Sequence, residues 1–576
     1  MGSTTVRLAD LELAIERQQR EEGGRHLPLI SAYLEAQQDL SAVERFSQRH
    51  GDVERPLQER YYRDLLPATP PGEGQQYGFE VDLDVCSGCK ACVTACHGLN
   101  GLDGGETWRS VGTLHGGTPE APVQKTVTTA CHHCAEPGCM AGCPVGAYEK
   151  DPETGIVRHL DDQCIGCQYC IFTCPYEVPQ FNPKRGIVRK CDMCSGRLGE
   201  GEAPACVQAC PNEAIAIRVV DLEQVRRDAR DERFLPGAPD PSITLPTTRY
   251  RSGAGLTDDL IPADFFSVRP AHQHMPLVLM LVLTQLSVGA FCVDRLLPLA
   301  LSSSVLEAIR PLHGSFALGW AVLALAASTA HLGRPLFAFR AVIGLRTSWL
   351  SREIVVFGAF AAVAAAHAGG TLVRAGVLPS PVTPPASLVA RLGDTAALSG
   401  LLGVFCSVML YAVTRRRLWS FPRTAARFFG TAAALGLATA LVSLFGALSG
   451  GAALSGEVTS VASALAMALA GGVLLKLLFE SSIVRHLWRG THGELERSAI
   501  LLTRELSRMG ALRFGLALVG GIALPLGFLA NLAPGDGPAA LGVSAICLAM
   551  LATGEALERM TFFAALSSPR MPGGIA

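Results

Sequence analysis

Several features that would assign this chain to common functional classes are missing from its sequence. The 576 residues carry 49 basic and 51 acidic side chains, a formal net charge of −2, so charge gives no argument for nucleic acid binding. There is no C-x-x-C-H motif for covalent haem, and the Gly-rich stretch 98–117 lacks a dinucleotide-binding G-x-G-x-x-G. The first 75 residues have no apolar run long enough for a secretory signal. Cysteine and long apolar runs remain as the informative features.

Sixteen of the 19 cysteines fall within 86–210, in four runs of four. The first and third runs are spaced C-x2-C-x2-C-x3-C, the second is stretched by two residues, and the fourth carries an insertion. Proline follows the last cysteine of three runs, and four thiolates with a Cys-Pro ending are typical of bacterial ferredoxins. The spacing therefore predicts four [4Fe–4S] clusters. The predicted ligands are Cys86, Cys89, Cys92 and Cys96; Cys131, Cys134, Cys139 and Cys143; Cys164, Cys167, Cys170 and Cys174; and Cys191, Cys194, Cys206 and Cys210.

Structural zinc and disulfides are the alternatives for these cysteines. A zinc ribbon uses two separated pairs, whereas three cysteines within seven residues and a fourth before proline suit a cubane better. In two-cluster ferredoxins the fourth cysteine of a run crosses to the neighbouring cluster. Chain symmetry then suggests that the first and fourth runs exchange their last cysteines, as do the second and third. The remaining cysteines, Cys292, Cys406 and Cys547, lie in apolar runs and are interpreted as small core residues.

The second half of the chain is apolar. Beyond about residue 272 come runs of Ala, Leu, Val and Gly long enough for several membrane helices of ~20 residues each. A soluble helical core is the alternative, but charged or Pro/Gly segments separate the runs. We predict eight spans, near 275–293, 313–331, 354–373, 394–413, 428–448, 459–479, 512–531 and 539–557. The predicted fold class is an α+β ferredoxin-like polyferredoxin domain followed by an all-α bundle of about eight transmembrane helices.

Arginine is unevenly distributed between the two sets of loops. The loops after the second and fourth spans are rich in it: Arg334, Arg340, Arg346, Arg352, Arg415, Arg416, Arg417, Arg423 and Arg427. Because positive loops stay in the cytoplasm, we expect an inner-membrane protein with its iron–sulfur domain on the cytoplasmic side.

The expected domains are a helical N-terminal extension (1–75), the four-cluster domain (76–222), a linker (223–271) and the membrane anchor (272–576). The extension shows helical periodicity, with Leu8, Leu11 and Ile15 on one face, and suggests a docking segment. The linker is rich in Pro, Asp and Arg and is expected to lie along the cluster domain.

Ionisable residues at the cytoplasmic membrane edge suggest a quinol site. His331 ends the second span, Glu353 begins the third, and an imidazole with a carboxylate can accept the two protons of a quinol. Glu555, near the end of the eighth span, is a weaker candidate. Helix capping is the alternative role for each. Haem would need facing histidines; His313 and His367 both lie toward the outer side, so no haem is expected.

The chain from about residue 76 resembles two subunits of dimethyl sulfoxide reductase-type molybdoenzymes joined end to end. Residues 76–222 resemble the four-cluster electron-transfer subunit through the cysteine runs. Residues 272–576 resemble the membrane anchor through His274-Met-Pro-Leu-Val, His331-Leu-Gly-Arg-Pro, Leu350-Ser-Arg-Glu353-Ile and Gly554-Glu555. In that anchor family the corresponding His and Glu, here His331 and Glu353, are implicated in quinol binding. The N-terminal extension belongs to neither pattern.

The resemblance implies a non-catalytic electron-transfer subunit of an oxidoreductase complex. It would oxidise quinol from the membrane pool and pass electrons through the clusters to a separate molybdopterin catalytic subunit, such as a nitrate or dimethyl sulfoxide reductase. The rival hypotheses are a dehydrogenase subunit that reduces quinone and an ion-translocating, quinone-reactive module.

Overall fold

The computed structural model describes residues 41, 57–231, 234–253, 255–257, 259–265, 267–448, 454–488, 493–533, 535–567 and 571–573. Most of the predicted N-terminal extension therefore lies outside the described residues. Within them, short strands and helices precede eight long apolar helices, which confirms the predicted fold class.

The cysteine domain is built on two small sheets and two hairpins. Its strands are β1 (Gln75–Asp82), β2 (Ser110–Gly117), β3 (Pro122–Thr129), β4 (Tyr148–Lys150), β5 (Val157–His159), β6 (Gln180–Asn182), β7 (Ile187–Arg189), β8 (Ile215–Asp221), β9 (Arg249–Arg251) and β10 (Ile261–Pro262). The sheet orders are β8-β1-β9 and β10-β2-β3, and β4-β5 and β6-β7 form the hairpins. Strand β1 pairs antiparallel with β8 from Gln75 opposite Asp221 to Val81 opposite Ile215, so the ends of the domain close on each other.

Short helices follow the cysteine loops, at Ala91–Leu99, Gly138–Gly142, Tyr169–Thr173, Ser195–Gly199 and Ala205–Gln208. Three of them begin after a residue with positive φ, namely Lys90, Gln168 and Cys194. This backbone turn directs each loop back toward the helix, so that cysteines separated by two other residues face one centre.

The segment predicted as a linker forms elements of the cysteine domain. It contains the helix Leu222–Arg230, which Asp221 caps by accepting a hydrogen bond from the Gln224 amide, and the strands β9 and β10. Strand β9 pairs parallel with β1 and β10 pairs antiparallel with β2. The segment therefore extends both sheets.

The membrane half contains eight spans by length and composition, counted over the described residues. They are Met275–Leu299, Ser303–Ala330, Trp349–Arg374, Ala386–Ala412, Phe421–Leu448, Gly456–Trp488, Ser507–Asn531 and Gly537–Ala564, called spans one to eight below. The predicted number is confirmed. Span two begins at Ser303 rather than near 313, because Glu307 and Arg310 interrupt the apolar run without ending the helix.

The polypeptide returns to the cysteine domain after span eight. Met571 is buried among Leu114, Val127 and neighbouring side chains of that domain. The Thr113 amide donates to the Gly573 carbonyl at 3.3 Å, so the tail continues the pairing on β2. The cysteine domain is thus held from two directions, by the segment that precedes span one and by the tail that follows span eight.

Candidate iron–sulfur and membrane-edge sites

The structure gathers the sixteen cysteines into four sites that exchange their last cysteines between runs. Two small cavities are each lined by four of these thiols, and mutual electrostatic contacts identify the other two groups. The distal site holds Cys86, Cys89, Cys92 and Cys210; the second site Cys96, Cys191, Cys194 and Cys206; the third site Cys131, Cys134, Cys139 and Cys174; and the proximal site Cys143, Cys164, Cys167 and Cys170.

The surroundings of these thiols fit a negatively charged cluster. Backbone amides of Ala147, Gly166, Met193 and Ala214 donate to cysteine sulfurs at 3.3–3.4 Å, a contact that stabilises thiolate ligands. Within the described residues, no three His, Cys, Asp or Glu side chains converge tightly enough to hold a single metal ion.

Two fully buried cations lie between consecutive sites. Arg109 acts electrostatically on Cys92 of the distal site and on Cys96, Cys191 and Cys206 of the second. The Lys190 ammonium lies 3.7 Å from the Cys131 sulfur and donates to the Cys191 carbonyl at 2.8 Å, which joins the third and second sites. A buried cation needs a counter-charge, and an anionic cluster at each site supplies one.

The four sites follow one another from the protein surface to the membrane half. Cys89 of the distal site is exposed. The second and third sites meet where Cys191 interacts electrostatically with Cys131. The third and proximal sites meet at the buried Tyr148, which interacts electrostatically with Cys139 of the third site and Cys170 of the proximal site. The arrangement is a row with one end open to solvent and the other at the membrane edge.

The proximal end of this row opens onto a cavity of about 140 Å³. Its wall includes Cys167 of the proximal site together with His331 and Glu353, the two residues predicted for quinol binding. The rest of the lining is mainly apolar and comes from the cysteine domain, from spans one to four and from the loop after span two: Ile165, Tyr169, Phe172, Leu277, Met280, Thr284, Leu325, Ser328, Thr329, Leu332, Ala338, Leu350, Ile354, Phe357, Leu410 and Tyr411. This composition suits a flat apolar ring that carries polar groups at its edge.

His331 lies at the end of span two, where the following turn packs on the cysteine domain. Its ring hydrogen-bonds the Cys167 carbonyl, and its Nε2 is buried without a hydrogen-bond partner among the described residues. Burial lowers the pKa of His331 to about 4, so the imidazole is neutral at pH 7 and Nε2 can accept a proton.

Glu353 lies just after the first turn of span three and is 3% exposed. The Ser407 hydroxyl of span four donates to its Oε1. Tyr169 and Tyr411, which also line the cavity, act on it electrostatically. A carboxylate and an imidazole on one cavity wall provide two proton acceptors.

Glu555 lies elsewhere. It takes part in a buried ion network among spans five to eight, paired with Lys476 and with Arg513 at 3.0 Å, and it accepts a hydrogen bond from Thr431 at 2.6 Å. It does not line the cavity. These contacts make Glu555 part of a buried ion-pair network that joins the spans, and they do not support its assignment to the quinol site.

The outer histidines have partners within the bundle. The His313 ring nitrogens lie 2.9 Å from the Ser443 hydroxyl and 2.9 Å from the Ala290 carbonyl, and His367 Nδ1 lies 2.8 Å from the Val389 carbonyl. The absence of haem stays a prediction from the sequence.

Sequence reasoning missed the part of the site that comes from tertiary packing. Tyr169 donates its hydroxyl to the Leu410 carbonyl at 2.7 Å and so joins the cysteine domain to span four. His274 belongs to the His274-Met-Pro-Leu-Val motif, and its ring lies 5.5 Å from the His331 ring. An unusual density of histidine just before span one, at His272 and His274, is the one sequence signal that pointed there.

Four grouped cysteine sites, arranged in a row that ends at a bundle of apolar helices, define a membrane-anchored iron–sulfur protein. Comparison with known proteins narrows this class. Residues 123–220 match the model of a 4Fe-4S dicluster domain, and residues 270–565 match that of the DMSO reductase anchor subunit (DmsC). This protein belongs to the DmsC anchor family and carries the 4Fe-4S domain in the same polypeptide.

Relatives of the cysteine domain agree with this assignment. The sequence is 35% identical over 187 residues to the B subunit of the anaerobic dimethyl sulfoxide reductase of Escherichia coli K12, an alignment that covers 31% of this protein and 90% of that one. It is 33% identical over 181 residues to the protein of that name from Haemophilus influenzae, covering 30% and 87%. The Hydrogenase-2 operon protein HybA of Escherichia coli O157:H7 is 36% identical over 26% of this protein and 52% of its own length. The sequence-based resemblance to a fused iron–sulfur and anchor subunit is confirmed.

Proposed function

We propose that this protein oxidises quinol in the membrane-edge cavity and passes the electrons singly through four [4Fe–4S] clusters to a molybdopterin catalytic subunit. The observation that carries the proposal is the shared wall of the cavity. Cys167, a ligand in the proximal site, and the proton-accepting residues His331 and Glu353 line the same cavity. A quinol ring held there would lie beside both its electron acceptor and its proton acceptors.

The protein residues have defined parts in this reaction. Oxidation of one quinol gives one quinone, two electrons and two protons. His331 Nε2 accepts one proton and the Glu353 carboxylate accepts the other, while the apolar walls exclude water from the ring. Each cluster, when bound to its four cysteines, accepts and releases one electron at a time.

The catalytic subunit would dock at the distal end of the row, where Cys89 is exposed. The names of the reductase relatives support dimethyl sulfoxide reductase-type complexes as the partner class. The arginine-rich loops lie on the same side as the cysteine domain, since Arg334, Arg340 and Arg416 donate to its carbonyl groups. By the positive-inside rule, this side is the cytoplasmic face of the inner membrane.

The proposal is tested with the full-length protein purified anaerobically. We expect ~16 iron and ~16 acid-labile sulfide atoms per polypeptide, as four cubanes require. A soluble quinol analogue should reduce the clusters, followed by electron paramagnetic resonance (EPR). In His331→Gln this reduction should slow on the order of 10²-fold, while dithionite still reduces every cluster.

The matched control is His115→Gln, a half-buried histidine on β2 of the cysteine domain. It should reduce at the wild-type rate. Iron content well below the expected number would contradict the four clusters, and an unchanged quinol rate in His331→Gln would remove that residue from the site.

A further inference from the structure

Three imidazoles form a row between the cavity and the protein surface. The ring centroid of His331, on the cavity wall, lies 5.5 Å from that of His274, and His274 lies 4.6 Å from His272. His331 and His274 are partly enclosed, whereas His272 is exposed. At these spacings neighbouring ring nitrogens are within reach of a direct hydrogen bond or of one bridging water.

The row is held in place at its middle member. His274 precedes span one with φ +47°, and its ring packs edge-on against Phe172 of the cysteine domain at 5.3 Å and against Phe563 of span eight at 5.8 Å. The His274 amide donates to His272 Nδ1 at 3.2 Å. The row therefore runs through the junction of the two halves and ends on the side of the cysteine domain.

The face of span three that leads from the cavity toward the opposite side of the membrane is apolar. Below Glu353, the buried face of span three carries Phe357, Phe360 and Ala364 before it reaches His367. That separation is about 21 Å along the helix at 1.5 Å per residue. Phe360 also packs against Phe291 of span one at 5.6 Å, which closes the gap between the helices with aromatic rings. Along this face, none of the side chains between Glu353 and His367 can carry a proton.

We propose that His274 and His272 carry the quinol protons from His331 to the surface on the cysteine-domain side. The inference rests on the proposed quinol oxidation and adds the path and the side of proton release. His331 receives the first proton from a quinol hydroxyl and, once it has passed that proton on, receives the second from Glu353 across the shared cavity. His331 passes each proton to His274, which passes it to His272 and so to water. Both electrons leave through the cysteine sites, so each quinol yields one quinone and two protons on that side. Neither the electrons nor the protons of the reaction then cross the membrane bundle.

The state of His274 suits a carrier. Burial, with the neighbouring His331 and His272 rings, lowers the pKa of His274 to about 4. A neutral imidazole has one nitrogen that accepts and one that donates, so it can take a proton from one neighbour while giving one to the other.

The side of release is measured on the full-length protein reconstituted into liposomes that contain a lipid-soluble quinol. External ferricyanide, a membrane-impermeant one-electron oxidant, draws electrons only from molecules whose cysteine domain faces outward. Two ferricyanide ions are reduced for each quinol oxidised, and ferricyanide itself takes up no proton. We expect two protons per quinol in the outer medium and no acidification reported by a pH dye trapped inside. Acidification of the lumen would overturn the proposal.

The path is measured with two substitutions that preserve local structure. His274→Asn suits the positive φ, and His272→Asn offers a side-chain oxygen to the same backbone amide. We expect kcat for quinol oxidation to fall on the order of 10²-fold in His274→Asn and less in His272→Asn, with KM unchanged. The solvent deuterium isotope effect should rise, and added imidazole should restore part of the rate.

The control is His115→Asn, which should behave as wild type. A raised KM with unchanged kcat in His274→Asn would show that the residue acts in binding and would overturn the relay. Wild-type rates in both variants would overturn it as well. If the wild-type protein itself fails to reduce ferricyanide with quinol, the proposed function fails, a result distinct from loss of the relay alone.

Discussion

Gly166 of the proximal cysteine loop and Gly333 of the turn after span two meet backbone to backbone, the Gly333 amide donating to the Gly166 carbonyl at 3.4 Å. Gly186 packs against the same point, and both Gly166 and Gly186 have positive φ. A Cβ placed on Gly333 would fall within 2.6 Å of the Gly186 carbonyl carbon. The two halves of the molecule touch here without intervening side chains, next to His331.

Gly333→Ala should therefore separate the halves locally. Because backbone atoms cannot move aside as a flexible side chain can, we expect a destabilisation of about 1–3 kcal/mol. Quinol-dependent cluster reduction should slow while dithionite-reduced EPR signals stay intact. Gly358→Ala, in span three with open space around its Cα, is the control and should reduce at the wild-type rate. Equal rates in both variants would show that the contact does not position the cavity.

Arg109 and Lys190 should set the order of the cluster potentials. A buried positive charge favours the more negative, reduced form of a cluster and so raises its potential. Arg109→Gln should lower the potentials of the distal and second sites, and Lys190→Met those of the second and third. In EPR redox titrations, two signals should shift in each variant and one signal should shift in both.

The EPR signal of the second site, which should shift in both variants, distinguishes a local charge effect on the potentials from general loosening of the domain. Arg158→Gln, which removes a surface ion pair with Glu149, should leave all four potentials unchanged. A uniform shift of every signal in the Arg109 or Lys190 variant would contradict the assignment of each cation to two neighbouring sites.

Glu353→Gln should abolish one of the two proton acceptors while it keeps the contact with Ser407. We expect kcat for quinol oxidation to fall on the order of 10²-fold with little change in KM, since the amide fills the same volume. Ser407→Ala should have a smaller effect. Glu307→Gln, an exposed position on span two, serves as the control. A wild-type kcat for Glu353→Gln would leave the carboxylate without a part in the reaction.

Glu555→Gln should act on stability rather than on turnover. The substitution leaves Lys476 and Arg513 buried with less counter-charge, and breaking a buried ion pair costs about 3–5 kcal/mol. We expect a lower thermal unfolding temperature and a lower yield of solubilised protein, with unchanged quinol oxidation per folded molecule. The double variant Glu555→Gln, Lys476→Met should recover part of the stability. A selective loss of turnover would instead return Glu555 to the quinol site.

The sequence predicted those features that depend on local spacing. Three of the four cysteines at each site come from one run of the sequence, and membrane helices are continuous apolar runs, so both patterns are visible along the sequence. His331 and Glu353 could be placed together because a single loop connects their spans. The strands within segment 223–271 could not be predicted from local spacing. The three-residue β9 and the two-residue β10 form only by pairing with β1 and β2.

The rest of the site arises from packing between distant segments. Tyr169 and Tyr411 reach the cavity only because the cysteine domain rests on spans three and four. The excess of arginine in the loops has two causes, membrane orientation and contact with the cysteine domain, and the sequence alone does not distinguish them. Arg416 donates to the Phe172 carbonyl at 3.3 Å and pairs with Glu177 at 3.1 Å, so part of the arginine excess holds the cysteine domain in place in addition to orienting the helices.

The tail after span eight has a consequence for how the two halves associate. Cleavage of the peptide anywhere within 253–258 would leave the domain still gripped by Met571 and Gly573, by the glycine junction and by Arg416. The peptide link between the two halves is therefore not what holds them together, because these non-covalent contacts join them as well. Two separately translated polypeptides with these same surfaces would find each other and stay together.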